Sequence, residues 1–199
     1  MTCHDTPTAG SSNDWTTDNA LTQQYDNCWT DPRSGCRLRS RALERVIVEQ
    51  LRDEELALVR PLLVDLHLYE QPHYADHPQL TREQLEASMD EVRSRFTGEN
   101  VIFAVREEAG GLAGFCWVVL FDPGTGLEGE VAEVYVAEDH RGRGVGEALL
   151  RRAIELFRHR GVTLGYVWTR SENEAATRLY RSSGFEPTQQ LVLTWYPSS

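Results

Sequence analysis

Residues Val134–Gly146, VYVAEDHRGRGVG, run from an apolar segment into three glycines at alternate positions, Gly142, Gly144 and Gly146. A long amphipathic helix follows at once. Val145, Ala148, Leu149, Ala153, Leu156 and Phe157 form its apolar stripe, and Gly161 ends it as a C-cap. Glycine permits positive φ and a close approach of main chain to ligand. The first N–H groups of a helix have no intrahelical acceptor, and the helix dipole favours negative charge beside them. Strand, glycine-rich turn and helix in this order therefore make a cradle suited to a diphosphate, with Arg141 and Arg143 adding positive charge. A plain turn explains one glycine, not three in alternation. Two other phosphate-binding patterns fail. The dinucleotide fingerprint G-x-G-x-x-G needs a Gly where Glu147 stands. A Walker A loop needs Lys, and all 20 basic residues here are Arg.

Working outward, the pattern on both sides is regular. Val46, Ile47 and Val48 read as a short strand within Arg45–Gln50. Asp53 offers an N-cap ahead of Leu56, Val59, Leu62, Leu63 and Leu66 at helical spacing, with Pro61 a kink or a restart. Thr81 and Gln84 form a capping box opening a second helix to about Phe96. Val101–Arg106 and Leu112–Phe121 flank a glycine turn and predict a hairpin. Glu130–Ala137 is the next strand. Beyond the long helix, Val162–Thr169 predicts a strand, Asn173–Ser183 a short helix closed by Gly184, and Leu191–Tyr196 a last strand. A strand–helix–strand succession implies a parallel pair. The order β-α-α-β-β-β-α-β-α-β gives an α/β domain whose mixed, mostly antiparallel sheet has helices on both faces.

The bulk properties bound the setting. A chain of 199 residues suits one domain with a sizeable core. Residues 1–42, rich in Thr, Ser, Asn and Asp, read as a flexible polar N-terminal extension, and 43–199 as the folded domain. The formal net charge of −11 argues against nucleic acid as a partner and is mildly favourable for a cationic one. No stretch approaches the roughly 18 consecutive apolar residues of a membrane span, and no secretory leader is visible, so a cytoplasmic setting is expected. Cys3, Cys28, Cys36 and Cys116 lack zinc-site spacing, so no metal is expected. Cys116 lies in an apolar strand with no His placed beside it by sequence, which favours a packed thiol over a nucleophile.

Two segments carry a specific resemblance. Arg141-Gly-Arg-Gly-Val-Gly146 is similar to the Q/R-x-x-G-x-G/A motif of the GNAT N-acetyltransferases. Residues Asn173–Phe185, NEAATRLYRSSGF, resemble the family's N-x-x-A-x-x-L-Y-x-x-x-G-F segment in full. The resemblance spans about Val46 to Tyr196. It implies that main-chain amides of Arg141, Gly142, Arg143, Gly144, Val145 and Gly146 hold the diphosphate of acetyl-CoA. It implies that the strands over Glu130–Ala137 and Val162–Thr169 splay, with pantetheine lying along Val134, Tyr135 and Val136 like a short added strand. Asn173 then contacts the pantetheine arm, and the Tyr180 hydroxyl reaches the sulfur.

The chemistry follows. An alkyl amine with a pKa near ~10 must lose a proton before attacking a thioester, so a carboxylate is needed as base. Glu130 and Glu133 both lie on the strand beside the acyl group, where carboxylates are unusual. Regular period-two alternation turns them to opposite faces, and a bulge would change that phase. An N–H near Val134 suits the developing oxyanion, and Tyr180 the departing thiolate. Where ribosomal-protein N-terminal acetyltransferases carry a Glu on the following strand, this chain has Trp168. In the family the first two helices and their loop shape the acceptor site. Here Tyr69, Glu70, His73, Tyr74, Asp76 and His77 suit a cationic amine such as a polyamine. The expected partners are acetyl-CoA and an amine acceptor, with a homodimer left open. The other reading is a non-catalytic acyl-CoA sensor of the same fold.

Overall fold

The computed structural model describes residues 46–73, 79–89, 98–108, 110–190 and 192–193. The expected extension over 1–42 and most of the expected strand Leu191–Tyr196 lie outside these residues, as do Tyr74, Asp76 and His77. The elements are β1 (Glu49–Gln50), α1 (Arg60–Glu70), α2 (Arg82–Ser88), β2 (Glu99–Arg106), β3 (Leu112–Phe121), β4 (Glu128–Val136), α3 (Val145–Arg160), β5 (Leu164–Val167) and α4 (Glu174–Ser182). No helix among the described residues is long and apolar enough to cross a membrane.

Local chemistry accounts for most boundaries. Pro61 does not kink a continuous helix. A 3-10 segment, Asp53–Val59, comes first, and α1 restarts with Pro61 in its opening turn, where a missing N–H costs nothing. The cap of the 3-10 segment is Arg52 rather than Asp53, because the Glu55 carboxylate accepts the Arg52 N–H at 3.2 Å. The Thr81–Gln84 capping box forms as expected, with Thr81 N–H donating to Gln84 Oε1 at 2.8 Å and Gln84 N–H to Thr81 Oγ1 at 3.3 Å. That helix does not continue toward Phe96. It stops at Ser88, since Met89 leaves helical geometry at φ −106° and ψ 46°. Residues 90–97 are outside the described part.

The sheet runs β1-β2-β3-β4-β5, antiparallel except for the parallel pair β4–β5. One face packs on α3 through Phe103, Cys116, Val118, Val131, Leu149 and Leu150. The other packs on α1 through Leu62, Leu63, Leu66, Phe115, Trp117 and Val119. Each fully buried Leu or Phe contributes about 1.5–3 kcal/mol, so these two layers hold the fold together.

Two features of β4 position everything that follows. The β3–β4 register passes from Trp117↔Glu133 to Val118↔Val131, so Ala132 is an extra residue opposite one step of β3. The parallel ladder with β5 covers only Glu128–Val131 against Leu164–Val167, four residues instead of the expected Val162–Thr169. β5 therefore ends its pairing where β4 bulges.

Gly129 and Gly165 face each other in that ladder, and the Phe157 ring of α3 lies over both. A Cβ at Gly129 would stand 2.5 Å from the Phe157 ring, and one at Gly165 3.1 Å. Replacing Gly129 by Ala is expected to destabilise the domain by about 1–3 kcal/mol through overpacking. Urea unfolding should show this, and Phe157→Leu in the same chain should recover part of the loss.

Candidate active site

The end of β4 offers a bare edge. Ala137 N–H donates to Ala113 O on β3 at 2.9 Å, so alternation turns the N–H and C=O groups of Val136 and Val134 to the opposite edge. β5 no longer pairs there. The Val136 carbonyl accepts Arg141 Nε–H at 3.0 Å. Among the described residues, the Val134 groups have no strand partner on that side.

The glycine turn lies directly beyond this edge. Gly142 and Gly144 have φ of 71° and 80°, conformations that side-chain-bearing residues rarely adopt. Neither would meet an atom within 4 Å if given a Cβ, so backbone conformation, not crowding, calls for glycine there. Gly146 is different. A Cβ there would lie 3.1 Å from Leu179, so its smallness lets α3 approach α4. Gly144 caps α3 without any side-chain hydrogen bond, and the first intrahelical donor is Ala148 N–H to Gly144 O at 3.0 Å. The N–H groups of residues 145–147 thus face outward at the positive end of a 16-residue helix. These observations fit the anionic end of coenzyme A. Positive φ at alternate residues is also a feature of main-chain turns that suit anions.

Arg141 is not aimed simply at this turn. Its guanidinium lies 5.5 Å from the ring centres of both Tyr69 and Tyr135, stacked between α1 and β4. His140 Nε2 lies 2.9 Å from Glu107 Oε1, tying the start of the turn to the β2–β3 connection. Asn173 also lines the cleft, but its carboxamide oxygen accepts the Ala176 N–H at 3.1 Å and so caps α4.

The Ala132 bulge brings the two strand carboxylates together. Glu130 pairs with Val119 and Glu133 with Trp117, both on the α1 face of β3. Paired residues of an antiparallel ladder share a face, so Glu130 and Glu133 do too. Regular alternation would have separated them. Burial pushes the Glu133 carboxyl up to about 7, with Glu70 and then Glu130 adding to the push. Burial also raises Glu130, opposed by a hydrogen bond from the half-exposed Trp168.

Tyr180 of α4 borders the same cleft, its ring packed edge-on against Phe185 at 6.1 Å. Its phenol is held well above the ordinary range, first by burial, then by Cys116, Glu133 and Glu70. It therefore stays protonated and able to donate. Cys116 is fully buried on the α3 face and pushed up to about 12 by burial alone, so its thiol is a packed core group.

The open cleft is about 2610 Å³ and runs from the glycine turn past Val134, Tyr180 and Glu133 to Tyr69 and Trp168. That exceeds the few hundred Å³ of a typical small-molecule pocket and suits two substrates. Sequence reasoning missed one member. Arg170, in the segment after β5, reaches Glu70 at 3.5 Å. An arginine at a strand's end carries no distinctive signal.

Comparison with known proteins agrees with this geometry. The Acetyltransferase (GNAT) family profile matches residues 64–185, more than half of the chain. The mycothiol acetyltransferase of Thermobifida fusca (strain YX) is 40% identical over 121 residues, covering 57% of this chain and 37% of that protein. That of Thermobispora bispora is 35% identical over 118 residues, covering 56% and 39%. The chain thus spans little more than a third of the length of these relatives. A crystal structure described as a probable acetyltransferase superposes with a TM-score of 0.60 at 24% identity, covering 77% of this chain and 98% of that one. An aminoglycoside acetyltransferase from an uncultured soil metagenomic sample, in complex with sisomicin, gives 0.53 at 14% identity, covering 77% and 97%. These two likenesses concern the fold. A splayed strand pair, a glycine turn opening α3, and a profile match across both make the chain a member of the GNAT acetyltransferase family.

Proposed function

We propose that this chain transfers an acetyl group from acetyl-CoA to a primary amine by direct attack, in a cytoplasmic setting. One observation carries the reading. Glu133, raised toward neutrality, and Tyr180, kept protonated, share a cleft at the point where β4 loses its strand partner. A base poised near neutral pH and an acid that holds its proton are what aminolysis of a thioester requires.

Bound acetyl-CoA would supply an already activated acyl group, so no covalent enzyme intermediate is needed. The N–H groups at the start of α3 and the turn Arg141–Gly146 would hold its diphosphate, and the free edge at Val134 its pantetheine. Glu133, as carboxylate, takes the proton that the acceptor ammonium must lose. The Val134 N–H, on the unpaired edge, suits the oxyanion that develops on the acyl carbon. Tyr180 donates its phenolic proton toward the departing sulfur. Glu130, closer to Trp168, adds negative charge that favours a cationic acceptor. Small diamines, peptide amines, aminoglycosides and mycothiol-related amines form the acceptor panel, the last two because of the names its relatives and structural neighbours carry.

Incubation with acetyl-CoA and this panel should release free CoA in proportion to acceptor; binding without acceptor-dependent release would favour the sensor reading. Tyr180→Phe is expected to lower kcat at least ~10-fold with little change in coenzyme affinity. Undiminished turnover would remove Tyr180 from the mechanism. Gly144→Val, strained at φ 80°, should weaken coenzyme binding measured by calorimetry, and unchanged affinity would count against the cradle. The raised Glu133 also predicts a stability effect. The folded protein retains a proton that the unfolded chain has lost between about pH 4.5 and about 7, so stability falls as pH rises through that window. Glu133→Gln should therefore raise Tm at pH 8 and leave it nearly unchanged at pH 4.5.

A further inference from the structure

We propose that Glu70 and Arg170 form a positioning pair that tunes Glu133 as a proton acceptor, Glu70 by its negative charge and Arg170 by neutralising that charge. The inference rests on the reading of Glu133 as the base, and the pair lies outside the motifs that mark the family.

The geometry brings three separate elements to one place. Glu70 is the last residue of α1, whose Leu62, Leu63 and Leu66 lie on the sheet face that carries Trp117. Trp117 is the register partner of Glu133, so the end of α1 and the Ala132 bulge share a face. Arg170 arrives from the segment after β5, and its Nη2 stands 3.5 Å from Glu70 Oε1. Both side chains are largely covered, at 29% and 23% exposure, so water screens the pair only in part. Glu70, Glu133, Arg170 and Tyr180 all line the one cleft.

Groups facing Glu133 can be named element by element. α1 supplies Glu70, β4 itself supplies Glu130, and α4 supplies Tyr180, while Arg170, in the segment after β5, reaches this group through Glu70. β3 supplies Trp117, which does not titrate. Glu70 is the strongest charged neighbour acting on Glu133, and it also acts on Tyr180. A carboxylate only partly screened by water disfavours ionisation of a neighbouring carboxyl, and a guanidinium placed on that carboxylate relieves the effect. Glu70 thus raises the basicity of Glu133, and Arg170 limits how far it rises. The simpler role, an ion pair fastening the end of α1 to the segment after β5, predicts no opposed effects.

That opposition is the test. The pH profile of kcat/KM is measured with one amine for the unaltered chain, Glu70→Gln and Arg170→Gln. The midpoint of the acid limb should fall by about half a pH unit or more in Glu70→Gln and rise comparably in Arg170→Gln. Lower rates in both variants with an unmoved midpoint would overturn the proposal while leaving the acetyltransferase reading intact. A second readout needs no turnover. The pH window over which Tm declines should shift in the same opposite directions, and the shifts should vanish in a Glu133→Gln background. If no amine is acetylated, the enzyme reading fails and the Tm windows alone decide the coupling. Windows that stay in place, or that shift equally without Glu133, would overturn it.

Discussion

The parallel hydrogen-bond ladder between β4 and β5 stops at Val131 and Val167, and the rest of the site depends on that interruption. Backbone N–H and C=O groups are obligatory hydrogen-bonding groups, and a buried one left unpaired is costly. Beyond Val131, β4 keeps its partner on the β3 side and loses it on the other. A groove is left that an extended ligand can complete with main-chain hydrogen bonds. The bulge at Ala132 turns the strand at the same point. The glycine turn follows only a few residues later, and edge and turn line the same cleft.

The same bulge sets the electrostatics. One extra residue reverses the phase of β4 relative to β3, placing Glu130 and Glu133 together on the α1 face. Glu133 becomes a carboxyl surrounded by apolar groups and other carboxylates, which disfavours its charge and makes it a better base. Tyr180 enters from α4 into the same neighbourhood and is kept neutral by the same causes. Cys116, next to Trp117 on β3, faces the α3 layer, where burial suppresses its reactivity.

Much of the fold was legible because its causes are local. The Thr81–Gln84 box, the hairpin Val101–Phe121, the stripe of α3 and the Gly161 cap are each fixed by neighbours within a few residues. Pro61 illustrates the limit: its chemistry allows a kink or a restart, and the 3-10 segment before it selects the restart. The site was legible in part. Three alternating glycines announced the turn, yet two serve backbone conformation and Gly146 serves packing against Leu179. Asn173, which its motif offers as a ligand contact, lines the cleft, and its side-chain oxygen also caps α4. Arg141, which brings positive charge to the turn, also lies against the rings of Tyr69 and Tyr135, a contact that no local pattern announces.

By itself the sequence determined the order of strands and helices from β1 to α4, the glycine turn that opens α3 and the identity of the family, since φ preferences, caps and hydrophobic periods are written in adjacent residues. Tertiary structure decided which face each carboxylate occupies and which charges reach it. Ala132 carries no signature of a bulge; its place follows from how β4 must register against β3 while both faces stay packed. Glu70 and Arg170 stand a hundred positions apart in the chain, and only the fold brings them to 3.5 Å. Cross-strand register and through-space charge are long-range properties, and no local pattern encodes them.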